Sequence, residues 1–455
     1  MSTTAPRSDT LLLGGLGLLA VLTGLLAGID ARIAIAAALG IAFALAALAD
    51  LTIGLALFTF LSFLVYLPNF AGTVSIIKLA ALPLLISWLA LVTREGSSQR
   101  TFAGVHPAIS LTMVLFLAWT ALGYVWAEDG NAVLTSVFRY ALLLILVFVV
   151  YTAVEKERDV TWITAAMVLG ALAAAVYGFV GPQQAAYGEL ERLSGTLGNP
   201  NNLAPALVLG VGLSGGLAAI TKTSLARGAI VGAGGICLIA LLLTGSRGGL
   251  IGLAAMLIGF VALARGRRLA ITLATVTVLL GVVGYVAMAA PEESRERIIH
   301  PGTGSGRTDL WTVGGRMVSA NPVNGVGAGN FPVTSIHYLL RPGSLPNDQY
   351  IADTPKAASN MYLEVLAELG IIGAILFLTL IIFFLGCSLA ALSRFRRLAE
   401  WRLQALTTAI AASLIGLLAA DIFTSGGYAK ELWLLLGLGP ALLAMANRME
   451  PTAAT

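Results

Sequence analysis

Three arginines stand beside glycine and serine in an otherwise apolar chain: Arg192 in ELERLSGTLGNPNNLA, Arg247 in LLLTGSRGGLIG and Arg307 in GTGSGRTDLW. A guanidinium presents five donors in a planar fork, which suits bidentate binding of phosphate or carboxylate. A charge near the bilayer centre costs about 2.5–3.5 kcal/mol, so arginines in such surroundings indicate function. The sequence predicts that these three arginines bind one anionic group.

Two further bases are expected inside the membrane close to the same side, Lys78 and Arg139. Together with the three arginines they would suit a lipid-linked pyrophosphate, whose tail stays in the bilayer while its charge meets the cations. The alternative for Lys78 and Arg139 is that each long side chain reaches back to the interface and serves no site.

Other polar residues are candidates for substrate binding. Asn199 and Asn201 belong to the NPNN segment that follows Arg192. Asn360 is the third residue of ASNMYLEVLAELGIIG, where Ser359 and Asn360 are expected to cap a helix. Glu364 and Glu368 lie one turn apart on that helix. They form either part of the site or a wetted face above the bilayer.

The sequence has three histidines, the residue type that most readily accepts a proton near neutral pH. His337 is the preferred general base, and His300 is a weaker candidate in the same polar segment. His106 is expected on the other side of the membrane in a structural role. The sequence contains no HExxH motif, cysteine cluster or paired-aspartate spacing and no outward-facing nucleophile elbow, so neither a metal nor a cofactor is expected.

The segment around Arg307, SGRTDLWTVGGRMVSANP, has the apolar spacing of an amphipathic helix that ends at Asn321-Pro322. Its expected apolar face consists of Leu310, Trp311, Gly314, Met317 and Val318. The glycines of NPVNGVGAGNF resemble a dinucleotide fingerprint only superficially, because no βαβ pattern surrounds them. Tight turns at Gly325, Gly327 and Gly329 are expected instead.

The elements that position these residues are membrane helices. The chain has 455 residues, of which 58% are hydrophobic and 11% charged, with a mean hydropathy of +0.90. The fold class is therefore all-α, a polytopic integral membrane protein with 12–14 transmembrane helices and one long, partly helical loop. The fourteen predicted spans are 10–28, 31–48, 51–67, 75–93, 106–126, 134–153, 159–180, 202–221, 226–243, 248–264, 269–290, 360–390, 403–421 and 430–446.

Basic residues predict the orientation. Fifteen of the 27 lie in short connections on the side of the N-terminus, which the positive-inside rule assigns to the cytoplasm. Both termini are then inside, and the long loop faces outward, to the periplasm of a bacterial inner membrane. The expected division is an N-terminal helix array (1–290), a periplasmic loop domain (291–358) and C-terminal helices (359–455).

Four segments in this order resemble the O-antigen ligase and polymerase superfamily of membrane glycosyltransferases. They are RLSGTLGNPNNLA, LTGSRGGLIGL, SGRTDLWTVGGRMVSANPVNGVGAGNF and SNMYLEVLAELGIIG. One position departs from the family pattern, because Ser359 stands where relatives usually carry a histidine before Asn-x-Tyr-Leu. The base is then expected to be His337 or a carboxylate such as Asp348, Asp353 or Glu364.

The resemblance implies twelve spans, no metal, and transfer of O-antigen glycan from undecaprenyl pyrophosphate to lipid A-core. With His337 as the base we expect direct displacement and therefore inversion at the anomeric carbon. Chain polymerisation and protein O-oligosaccharyl transfer are alternatives within the superfamily. A transporter or flippase of lipid-linked glycan is the alternative from another class. A transporter should carry its charges near the midplane in both halves, whereas these charges cluster toward one side. Oligomeric state is left open, and no nucleic-acid partner is expected.

Overall fold

The computed structural model describes residues 30–65, 76–94, 102–181, 192–265, 268–292, 306–339 and 356–450, with isolated residues at 24, 28, 295 and 345. Every regular element in these residues is helical. The helices longer than four residues are α1 (Ala31–Ala49), α2 (Leu51–Ser62), α3 (Ile76–Arg94), α4 (Pro107–Leu122), α5 (Gly130–Ala153), α6 (Glu157–Val180), α7 (Pro200–Ile220), α8 (Ser224–Leu243), α9 (Arg247–Leu263), α10 (Arg268–Met288), α11 (Arg307–Ala320), α12 (Met361–Arg397), α13 (Trp401–Ala420) and α14 (Lys430–Met449).

The prediction of an all-α polytopic membrane protein is confirmed. Of the described helices, nine are long and apolar enough to cross a bilayer, and α1, α2, α3 and α9 contribute shorter apolar stretches. Helices stand at thirteen of the fourteen predicted positions, while the first, 10–28, lies almost wholly outside the described residues. Helix α2 has 12 residues and ends at Ser62, five residues before the end of its predicted span, 51–67. Asp50, whose carboxylate caps α2, separates it from α1.

Small residues bring the central helices together. Helix α7 packs against α6, α8, α9 and α13. A Cβ added at Gly216 would meet the side chain of Ala409 in α13 at 2.4 Å, and one added at Gly252 would meet the carbonyl of Gly416 at 2.7 Å. Helices in lipid associate through such close backbone contacts, because burial from water contributes little there.

Helix α12 is interrupted at Gly370, which has φ 65° and ψ −171°. The interruption leaves backbone groups without helical partners, and the segment that follows α11 bonds to them. The amide groups of Val326 and Gly327 donate to the carbonyls of Ala367 (3.0 Å) and Glu368 (2.8 Å). The indole of Trp119 in α4 donates to the carbonyl of Leu369 at 2.8 Å. The loop segment and α12 are therefore joined through backbone atoms.

The connections that carry the predicted site meet at one end of the bundle, which we call the loop end (residues 123–130, 192–199, 243–248, 306–339 and 418–430). Arg192 bonds to the carbonyl of Thr244. Asn330 and the backbone of Asp129 exchange two hydrogen bonds of 2.8 and 3.1 Å. At the opposite end, Arg402 pairs with Glu157 at 2.5 Å.

Candidate functional site

Arg192 and Arg247 belong to one local structure at the loop end. The Arg192 guanidinium donates to the carbonyl of Thr244 (2.8 Å) and to the amide oxygen of Asn201 (3.4 Å). The same Asn201 oxygen accepts from the hydroxyl of Ser246 at 3.2 Å, and Ser246 caps α9, whose first residue is Arg247. Arg247 is half-buried, and no described residue forms a hydrogen bond or an ion pair with its guanidinium.

Arg307 begins α11 and is half-buried. One turn further on, the Trp311 ring lies 5.8 Å from the ring of Phe423. A Cβ added at Gly248, the neighbour of Arg247, would meet the Phe423 side chain at 2.7 Å. Phe423 thus contacts α11 one turn after Arg307 and the first turn of α9, which begins with Arg247.

The predicted amphipathic helix is confirmed as α11, with Asn321 as its C-cap. Leu310, Gly314 and Met317 are buried, and the partly buried Trp311 and Val318 pack against the same small core. Gly325, Gly327 and Gly329 all have positive φ, as the prediction of tight turns requires.

Lys78 and Arg139 are both exposed. Lys78 is the third residue of α3, which packs against α1, α2 and α5. Arg139 lies in α5, about 13 Å along the axis from the first residue of that helix at 1.5 Å per residue, and its guanidinium lies over the Tyr428 ring, 5.6 Å from the centroid. Arg139 therefore faces the 426–428 turn of the loop end, whereas Lys78 has no described contact with the arginines.

The three asparagines differ in what their side chains do. Asn199 and Asn360 are helix caps: the Asn199 side chain accepts from the amide of Asn201 at 2.8 Å, and the Asn360 side chain accepts from the amide of Leu363 at 3.0 Å. Asn201 instead joins Arg192 to Ser246. Of the three, only Asn201 contacts a predicted cationic residue directly.

The two glutamates of α12 have different partners. Glu364 accepts a hydrogen bond from the hydroxyl of Ser425, and this hydroxyl also accepts from the amide of Ser359 at 3.1 Å. Glu368 is 4% exposed and accepts from the amides of Gly329 (2.8 Å) and Phe331 (3.1 Å). Glu368 is therefore not on a wetted face; it fastens the glycine turns to α12.

His337 lies in a short turn after α11 and is exposed. Its Nε2 atom is 3.1 Å from a carboxylate oxygen of Glu128. His106 is buried between Phe102 and Tyr151, and burial lowers its pKa, in line with a structural role. His300 and the alternative bases Asp348 and Asp353 lie outside the described residues.

Further candidate residues lie in DIFTSGGYAKE, the connection between α13 and α14 with the first two residues of α14, which the sequence motifs did not indicate. Its Asp421 is buried, and within the described residues its carboxylate accepts one hydrogen bond, from the Thr424 hydroxyl at 2.7 Å. Burial raises the pKa of Asp421 to about 7, the Thr424 bond opposes this, and the nearby Glu431 adds to it. The sequence signal that could have indicated this site is the pair of acidic residues, Asp421 and Glu431, between two apolar helices. Within the described part of the chain, His, Cys, Asp and Glu residues form no group of three suited to a metal ion.

Comparison with protein families finds one similarity. Residues 232–378 match the family model described as O-antigen ligase, 147 of the 455 residues. The match runs from α8 into α12 and includes Arg247, Arg307 and His337, while Arg192 lies before it. A comparison with curated proteins gives no match. The protein is thus a polytopic membrane protein in which residues 232–378 are similar to O-antigen ligases, in agreement with the resemblance drawn from its motifs.

Proposed function

We propose that the protein ligates O-antigen polysaccharide from undecaprenyl pyrophosphate onto lipid A-core at the periplasmic face of the bacterial inner membrane. The leaving group is already a pyrophosphate, so catalysis consists chiefly of stabilising charge on it and positioning the acceptor hydroxyl. Inversion by direct displacement at the anomeric carbon accounts for the reaction. The bond from that carbon to the pyrophosphate oxygen breaks as the bond to the acceptor oxygen forms.

The observation that carries this proposal is that Arg192 and Arg247 belong to the same local structure. Arg192 donates one hydrogen bond to the Thr244 carbonyl and one to Asn201, whose amide oxygen also accepts from Ser246. The guanidinium of Arg247, the next residue after Ser246, is half-buried and has no partner among the described residues. A partly desolvated guanidinium without an anion is costly unless a ligand completes its bonds. In our proposal these two arginines hold the pyrophosphate in place of a metal ion, and Arg307 contributes from α11. Arg139, whose guanidinium lies over the Tyr428 ring, stabilises the turn beside the bound glycan.

Lys78 was expected to bind substrate as well. Its exposure and its helix neighbours support only a weaker role, attraction of the anionic carrier toward the loop end.

For the general base we propose His337. Its Nε2 atom lies 3.1 Å from the Glu128 carboxylate, and a carboxylate at hydrogen-bond distance can orient a catalytic imidazole. The base takes the proton of the acceptor hydroxyl as the new glycosidic bond forms. Glu364 is the alternative, because its partner Ser425 lies two residues from Phe423, which contacts the turn of Arg247.

The test uses the full chain in lipid nanodiscs with lipid-linked O-antigen and lipid A-core, and product formation is followed by gel banding. Replacing Arg247 or Arg192 by alanine should lower the rate about a hundredfold or more, since one donor of a buried anion clamp contributes a few kcal/mol to the transition state. Arg227→Ala is the matched control: Arg227 is exposed and bonds to the Thr221 carbonyl at the other end of α8.

Wild-type rates in both Arg247→Ala and Arg192→Ala would exclude the clamp. Elongated carrier-linked glycan without transfer to lipid A-core would make the protein a polymerase. Comparing His337→Gln with Glu364→Gln decides the base, because loss of a general base costs about 10²–10⁴-fold in kcat. If Glu364→Gln alone lowers kcat, the general base is Glu364 and not His337.

A further inference from the structure

A cavity of about 260 Å³ opens between the loop-end parts of α7, α13 and α14. Its apolar wall includes Leu209 and Leu417, and its polar groups come from the first turn of α7, from the connection 421–429 and from the start of α14. The polar residues that line it are Asn202, Asp421, Thr424, Ser425, Lys430 and Glu431. An apolar wall with a few converging polar groups is the usual construction of a small-molecule site.

Asp421 is the most informative of these residues. It is 2% exposed, and its Oδ1 accepts from Thr424, while its Oδ2 has no hydrogen-bond partner in the described residues. A buried carboxylate oxygen without a donor is costly, because the group has given up its water without replacement. Since Asp421 lines the cavity, an occupant that carries hydrogen-bond donors would supply the missing bond.

The charge of the cavity restricts the occupant. Two carboxyl groups, Asp421 and Glu431, face one ammonium group, Lys430, so the wall disfavours phosphate. Hydroxyl groups donate readily to carboxylates and accept from amides and ammonium groups. A polyhydroxylated, uncharged ring of about the size of one sugar fits both the volume and the donors that the wall requires.

The position of the cavity relates it to the arginines. Asn202 lines it, and the preceding residue, Asn201, bonds to Arg192. Ser425 also lines it and donates to Glu364. A molecule with its pyrophosphate at Arg192 and Arg247 would therefore bring the attached ring to the Asn202 side of the cavity.

We propose that this cavity is the subsite for the sugar directly linked to the carrier pyrophosphate, with Asp421 and Glu431 accepting hydrogen bonds from its hydroxyl groups. This inference rests on the proposed function and adds to it the place where the first sugar is recognised. The arginines bind the diphosphate, which every lipid-linked donor shares, and the carboxylates distinguish a donor that bears a sugar from the bare carrier.

The experiment measures the equilibrium binding of two probes to the full chain in nanodiscs: undecaprenyl pyrophosphate, and the same lipid carrying a single N-acetylglucosamine. We expect the wild type to bind the sugar-bearing lipid about tenfold more tightly, the increment of one hydrogen bond to a charged group. Asp421→Asn and Glu431→Gln should remove most of this ratio and leave the Kd of the bare carrier unchanged, which also verifies that the variants fold.

The matched control is Asp159→Asn. Asp159 is as buried as Asp421 but caps the first turn of α6 at the opposite end, so its variant should keep the tenfold ratio. Equal affinity for the two lipids in the wild type, or equal losses for both in Asp421→Asn, would overturn the sugar subsite and leave the arginine clamp standing. Failure of the wild type to bind either lipid would refute the proposed function and this inference with it.

Discussion

The fastening of the loop to α12 by Glu368 gives a prediction that needs no substrate. Replacing Glu368 by alanine removes the acceptor for the amides of Gly329 and Phe331. An unpaired buried amide costs about 1–3 kcal/mol, so two would cost about 2–6 kcal/mol. The Gly329 bond is only partly buried, which favours the lower half of that range. We expect the local opening of this segment to become easier by about 3 kcal/mol, or more than a hundredfold.

Hydrogen–deuterium exchange with mass spectrometry on the protein in nanodiscs measures this opening directly. Peptides that cover 325–335 should exchange more than about a hundredfold faster in Glu368→Ala, and Glu368→Gln, which keeps one acceptor oxygen, should give an intermediate rate. Glu128→Ala is the control, since Glu128 contacts the same loop only through an exposed pair with His337. Exchange within threefold of the wild type in Glu368→Ala would refute the role given to Glu368.

Three further predictions concern the helix break and the buried acid. Gly370→Ala should destabilise the protein by roughly 3 kcal/mol or more, measured by thermal unfolding, because its φ of 65° suits glycine and a Cβ would meet the Val323 carbonyl at 2.1 Å. Trp119→Phe should cost about 1 kcal/mol in the same assay, since the Leu369 carbonyl loses its donor. A folded pKa of about 7 against an ordinary 3.8 means that Asp421 contributes stability only while protonated, so the unfolding midpoint of the wild type relative to Asp421→Asn should fall as pH rises from 4 to 7 and then level off. A difference that is constant with pH would contradict that pKa.

Hydropathy and local pattern were sufficient for much of the fold. Thirteen predicted spans have helices because apolar runs of this length have few alternatives in a bilayer. The helix of 307–320 and the cap at Asn360 followed from signals within a few residues of each. The glycine turns followed from the absence of any surrounding βαβ pattern.

The tertiary relations were beyond the sequence. Glu364 and Glu368 look equivalent along α12, yet one meets Ser425 and the other the amides of a loop some forty residues earlier. Asp421 became a candidate only when α7, α13 and α14 were seen to enclose a cavity. The exposure of Lys78 depends on which helices pack against α3, and the pattern of apolar residues in α3 does not specify those helices.

The junction between the loop and α12 has a consequence for sequence drift. Apart from the Glu368 carboxylate, its connecting atoms are main-chain amides and carbonyls at 322, 326, 327, 367, 368 and 371, so most other side chains there can change without loss of a bond. Selection would act strongly on Glu368 and on the two glycines at 325 and 370, where any Cβ meets backbone, and weakly on the remaining neighbours. Distant homologues could therefore keep this architecture although most of the sequence around these positions has diverged.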